Sequence, residues 1–224
     1  DDAAATHLAA YDCPCGGNPN LLWSCETYRR TAQMDIELQI VPVPGKAKPR
    51  RFVFALLDNF TMLCFACAVE SLRIANRTAG KTLYEWIVIG EGGEVARCSN
   101  GTEFKLHGDL IELDRDDTVM LCGGIDVQKA TTRKILNWLR RESRRGAVMA
   151  GLCTAGYSLA KAGLLDGKKA TIHWENQDSF AEEFEEVNLT KSIFVIDGNR
   201  MTTAGGTASI DLMLKVIADE HGED

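Results

Sequence analysis

From Phe52 onward, short apolar runs alternate with longer stretches whose apolar residues recur at helical spacing. No other feature limits the fold as much. Residues 52–57 form an unbroken apolar run closed by Asp58-Asn59. Residues 84–89, 118–122, 147–152 and 170–173 read as further strands. Residues 193–196 and 201–203 flank Asp197-Gly198-Asn199 and read as a hairpin. Between the strands, residues 61–78 carry Leu63, Ala66/Cys67 and Ile74 at helical spacing. Residues 127–145 read as one helix with Val127, Thr131, Ile135, Trp138 and Leu139 on one face. Residues 154–162 form a helix stopped by Gly163, 176–184 a short one, and 207–218 the last, with Ile210, Leu214 and Ile217 inward. Strands that alternate with helices run parallel through right-handed crossovers, with helices on both faces. The predicted fold is therefore α/β, a three-layer α/β/α sandwich around a mostly parallel sheet. Ligands in such folds lie beyond the carboxyl ends of the strands. That directs attention to Asp58, Gly123-Gly124, Cys153, His173 and Gly205-Gly206.

Residues 1–50 differ from the rest. All five prolines (Pro14, Pro19, Pro42, Pro44 and Pro49) fall there, and 41–51, VPVPGKAKPRR, reads as an extended linker. The expected organisation is an extension over 1–50, poorly ordered, followed by one domain over 51–220. The chain begins with Asp and has a Met at Met34, which fits a fragment or a misassigned start. The whole is 45% hydrophobic, enough for a sizeable core, and its net charge of −7 argues against a nucleic-acid wrapper. No apolar run approaches the ~18 residues of a membrane span.

Five of the eight cysteines (Cys64, Cys67, Cys98, Cys122, Cys153) lie in apolar or Gly-rich stretches. No signal peptide precedes them, so they read as reduced thiols of a cytoplasmic protein. Cys13, Cys15 and Cys25 with His7 fit the spacing of a zinc knuckle only loosely. Neither a metal nor a cofactor is expected.

The segment AVMAGLCTAGYSLAKAGLLDG carries the most chemistry. A buried strand runs into Cys153 and then a helix, with Gly151, Ala155 and Gly156 as small neighbours. A sharp strand-to-helix turn needs such neighbours, and a helix N-terminus favours a thiolate. The alternative is a buried structural cysteine. In LCGG, Gly123 and Gly124 allow backbone N–H groups to approach an anion, or simply make a tight turn. In TIHWE, His173 is placed to orient the thiolate or bind a carboxylate. Trp174 and Glu175 together suit an organic cation. Lys129, Arg133, Lys134, Arg140, Arg141, Arg144 and Arg145 read first as a solvated helix face, and second as a docking surface.

Five segments, FVFALLDNFTML, LCGG, GLCTAGYSLAKAGLLDG, TIHWENQDSF and TTAGGTASIDLML, resemble the ThiJ/PfpI branch of the class I glutamine-amidotransferase-like superfamily over residues 51–219. CTAGYSLAKAGLLDG with TIHWE is similar to the sensory N-terminal domain of AraC-family transcriptional regulators of the GlxA type. The resemblance implies a flavodoxin-like sheet, a small-molecule effector and a homodimer. It also implies a helix-turn-helix DNA-binding domain after residue 224, so that DNA is contacted only through that further domain. Gly123, Gly124, Cys153, Thr154, His173, Trp174 and Glu175 become the expected ligand-binding residues, and a quaternary amine or amino-acid-like molecule the expected effector. Two departures from the catalytic members stand out. Cys64 occupies the first-helix position where they keep a carboxylate, and Thr154 follows the nucleophile position where peptidase-like members have His. Sensing without catalysis is the resulting expectation. The alternative is a Cys-dependent amidase, isocyanide hydratase or glyoxalase-like enzyme, with Cys153 as nucleophile, Gly124 as oxyanion donor and His173 as base. Redox sensing by Cys153 oxidation is a third reading.

Overall fold

The computed structural model describes residues 48–222. The cysteines and histidine at positions 7–25 and most of the 1–50 extension therefore lie outside the described residues. Six strands form one sheet in the order β2-β1-β5-β6-β10-β9. They are β1 (Arg50–Leu56), β2 (Tyr84–Ile89), β5 (Thr118–Cys122), β6 (Val148–Leu152), β9 (Phe194–Asp197) and β10 (Arg200–Thr203). All neighbours run parallel except the β9–β10 hairpin. β5 is buried at every position, and β1 from Phe52 on. Central strands covered on both faces need continuous apolar runs, which is what 52–56 and 118–122 provide.

Side chains of a strand alternate between faces, and the core divides accordingly. Val53, Ala55, Val119, Leu121 and Met149 pack on one side with Ile135, Trp138 and Leu139 of α3 (Arg133–Arg145) and Leu159 of α4 (Gly156–Lys161). Phe52, Phe54, Met120, Cys122 and Ala150 pack on the other. Their partners there are Phe65 and Leu72 of α1 (Met62–Ala79) and Leu212, Met213 and Val216 of α6 (Ala208–His221). With α5 (Gln177–Glu183), whose Phe180 joins the first of these clusters, the architecture is the three-layer α/β/α sandwich that the strand–helix alternation predicts.

Four expectations need correction. The helix predicted over 127–145 is two, α2 (Val127–Ala130) and α3. Thr131 turns its hydroxyl back onto the Val127 carbonyl (2.6 Å). Thr132 caps α3 by accepting the Ile135 N–H (3.2 Å), so a threonine pair competes with the ladder and starts a new helix. The strand predicted over 170–173 is only β7 (Lys169–Ala170). It pairs with β8 (Asn188–Leu189) outside the main sheet, and Thr171 instead donates its N–H to the Thr202 hydroxyl at 2.8 Å. The inward faces of α1 and α6 are also different. Leu63, Ile74, Ile210 and Leu214 are exposed, while Cys64, Phe65, Ala68 and Leu72, and Leu212, Met213 and Val216, are buried. Both sets recur at helical spacing, so spacing alone does not choose the face that meets the sheet. Finally, β3 (Val95–Arg97) and β4 (Glu103–Lys105) form an antiparallel pair that the sequence reading lacks.

The basic residues of α2 and α3 are largely engaged. Lys134 pairs with Asp109 (2.7 Å) and Arg145 with Glu112 (2.5 Å). Arg140 donates to the carbonyls of Ala162 and Lys161, closing the end of α4. Arg141 and Arg145 flank the carboxylate of Glu142, which is fully buried and accepts the Leu113 N–H. They act as a clothed helix face.

Candidate functional site

Cys153 follows the last residue of β6 and takes a left-handed backbone, φ 60°. A residue with a Cβ is held there only when its surroundings insist, at a cost of about 1–3 kcal/mol. The surroundings are tight. A Cβ on Gly151 would lie 2.9 Å from the Gly156 nitrogen, one on Gly123 2.6 Å from the Ala155 nitrogen, and one on Gly124 2.0 Å from the Asn59 oxygen. Three glycines thus let the ends of β5 and β6 and the loop after β1 meet. The Cys153 N–H donates to Thr203 Oγ1 at 3.1 Å, fixing the elbow to the end of β10.

The thiol is 4% exposed and lies among polar partners. Thr61 Oγ1 is 3.7 Å from Cys153 Sγ. Thr61 stands at the start of α1 without capping it, so its hydroxyl is directed to the sulfur. Cys64, one turn further on, has a single S–H to share between the same sulfur and the Gly206 carbonyl (3.6 Å). The Cys64 hydrogen bond is the chief influence bringing the Cys153 thiol down to about 6, against the burial that raises it. Thr61, the charge of His173 and the Thr154 N–H add to it. The Cys64 thiol is pushed up by the same hydrogen bond and by burial. The two shifts run in opposite directions and favour the anion on Cys153 and the proton on Cys64. The expected helix effect is a smaller part of this. Cys153–Ala155 is a single 3-10 turn, and only the Thr154 N–H represents the helix start.

His173 approaches through a glycine. A Cβ on Gly205 would stand 2.5 Å from His173 Cδ2 and 3.2 Å from Cys153 Sγ, and Gly205 has φ 95°. His173 Nδ1 accepts the Glu175 N–H at 3.4 Å. Trp174 is 70% exposed, its ring centred 5.7 Å from that of His173, and the Glu175 carboxylate is exposed 3.6 Å from Nδ1. Thr154 Oγ1 donates to the Gly124 carbonyl (2.8 Å), and the Gly123 N–H donates to the Leu152 carbonyl (3.3 Å). The structure therefore brings Cys153, Thr154, His173 and the glycine turn together, with Trp174 and Glu175 in solvent beside them. The turn is knitted to the elbow through the Gly123 N–H, which is already engaged.

Sequence reasoning missed Thr61 and Thr203. Each reaches Cys153 across a long sequence separation, and the only local sign is that they bound the first helix and the last strand. Among the described residues, no group of three or more His, Cys, Asp or Glu is placed to hold a metal ion. No described helix is long and apolar enough to cross a membrane.

Comparison with known proteins gives the family and the fold. A model of the "DJ-1/PfpI family" matches residues 52–219. The chain is 43% identical over 171 residues to the HTH-type transcriptional regulator CdhR of Pseudomonas aeruginosa, covering 76% of this chain and 51% of that protein. It is 36% identical over 176 residues to the HTH-type transcriptional regulator GlxA of Rhizobium meliloti, covering 78% and 54%. The chain spans about half the length of these curated relatives. It is 31% identical over 109 residues to isonitrile hydratase of Pseudomonas putida, covering 48% and 47%. In fold it is similar to an AraC family transcriptional regulator from Pseudomonas putida, with a TM-score of 0.68 at 24% identity, over 78% of this chain and 94% of that one. From the strand order, the elbow and the matched span, the chain belongs to the DJ-1/PfpI family.

Proposed function

We propose that this domain senses a small nitrogenous metabolite, a quaternary amine or amino-acid-like molecule, beside Cys153 and does not transform it. It would serve as the effector-binding, dimerising part of an AraC-type DNA-binding regulator acting in the cytoplasm. DNA would be contacted through a separate helix-turn-helix domain. One observation carries the reading. The α1 groups beside the Cys153 sulfur are the Thr61 hydroxyl (3.7 Å) and the Cys64 thiol, whose pKa is driven up, and neither is a carboxylate. Such a thiol stabilises a thiolate but is a poor acceptor for the proton that a hydrolytic or hydration cycle must pass back and forth. The regulator names of the relatives that match over most of the domain support it. Dimerisation is supported by α1 and α6, which pack together and leave Leu63, Ile74, Ile210 and Leu214 exposed.

The test is thermal unfolding against a panel of amines, betaines and amino acids. A ligand at a hundred times its Kd adds about 2.7 kcal/mol of stability. A shift that is lost in Cys153→Ala or His173→Ala supports the reading, and a panel without any shift overturns it.

The second reading, a Cys-dependent enzyme, is favoured by the lowered Cys153 thiol at a left-handed elbow. Turnover of an isocyanide, amide or methylglyoxal that disappears in Cys153→Ala would establish it in place of the first.

A further inference from the structure

A cavity of about 430 Å³ opens at the carboxyl ends of β1, β2 and β5, and neither Cys153 nor His173 lines it. Its position follows from topology. The chain leaves β1 for β2 on one side and then returns to β5 on the other, so the strand order reverses at β1. Two loops diverge there, and the gap between them is where open α/β sheets take ligands. Cys153, after β6, lies beyond that reversal.

The walls are built as for a preformed site. Leu56, Ala96, Leu106 and Ile135 are buried residues that present an apolar lining. Asn59 and Asp126 stand on the two diverging loops, and both hold left-handed backbones, φ 56° and 55°. The Asn59 carbonyl accepts the Ile125 N–H at 3.1 Å, which ties the loops together. The rim is acidic. Asp58, Glu91 and Asp126 face the cavity with Lys129 as the cation among its lining residues. Lys129 pairs with Asp126 (3.1 Å), leaving Asp58 and Glu91 uncompensated by it. Thr132 Oγ1 donates to Glu91 Oε2 at 2.5 Å and fixes that carboxylate at the start of α3.

We infer that this cavity at the β1/β5 strand-order reversal is a second binding site, separate from the one beside Cys153, for a small organic cation with an aliphatic body. The volume is in the range of metabolite pockets, the lining suits methylene or methyl groups, and two carboxylates at the mouth attract a positive head. An anion would meet net repulsion there.

The test uses the 224-residue chain with choline as the cation and 3,3-dimethylbutan-1-ol as its uncharged isostere. Amide chemical shifts are followed by NMR into the tens of millimolar. Choline is expected to shift Asp58, Asn59, Glu91 and Asp126 saturably, and to do so equally in Cys153→Ala. Asp58→Asn combined with Glu91→Gln is expected to weaken choline about tenfold or more. Ala130→Leu, which adds volume at the wall on a helix former, weakens both probes. Equal binding of the neutral isostere, no saturable shift at these residues, or shifts confined to the surroundings of Cys153 and His173 each overturn the inference. The last of these would still favour the sensing reading at the elbow, so the two proposals fail separately.

Discussion

β5 and β6 lie side by side, one ending in a cysteine and the other followed by one, yet the two thiols differ. Cys122, paired with Leu152 across the two strands, is fully buried, and burial pushes its thiol up. Cys153, one residue past the end of β6, is nearly as buried and moves down. Depth alone therefore does not decide which sulfur becomes anionic. Cys122 makes a 3.6 Å contact to a carbonyl of its own strand, which can only accept. Cys153 is turned by its left-handed backbone onto two side-chain donors and an N–H. The difference lies in one residue of chain position and the reversal that follows it.

The strongest challenge to this contrast is chemical labelling. At neutral pH a small alkylating reagent should modify Cys153 at least about a thousandfold faster than Cys122, read by peptide mass spectrometry, because only the thiolate reacts. Comparable rates would erase the distinction. The glycine turn after Cys122 gives the next largest effect. Gly124→Ala puts a Cβ 2.0 Å from the Asn59 oxygen and should cost about 3 kcal/mol or more in urea unfolding. A near-neutral result would mean that the two strand ends are not locked together. Thr203→Val removes the acceptor of the buried Cys153 N–H and should cost about 2 kcal/mol by the same assay. Its counterpart on the sulfur side is milder. In the native protein, Cys153 alkylation should rise with pH with its midpoint near 6, since the folded thiol is lowered to about 6 and the reactive form accumulates above it. Thr61→Val should move that midpoint upward by about one unit or less, because one donor to the anion is lost. An unmoved midpoint would leave the lowering to Cys64, His173 and the Thr154 N–H.

The central strands were legible because burial on two faces leaves a local mark, as in FVFAL and TVMLC. The elbow was legible for a related reason, since Gly151, Cys153 and Gly156 need each other within a few residues. The helix faces were not. α1 carries Leu63 and Ile74 on one side and Phe65 and Leu72 on another, so spacing alone cannot say which side meets the sheet. Thr131-Thr132 reads as helix by its neighbours and breaks it by its hydroxyls. The partners of the sulfur, Thr61 and Thr203, are ordinary threonines until the sheet brings distant segments together.

Gly205 and Gly206 touch both ends of a chain of contacts. The first has no room for a Cβ against His173 and the Cys153 sulfur, the second accepts from Cys64, and α6 begins two residues later. A ligand seated against that thiol would therefore bear on the turn from which α6 starts, which joins the elbow to the final helix through two glycines.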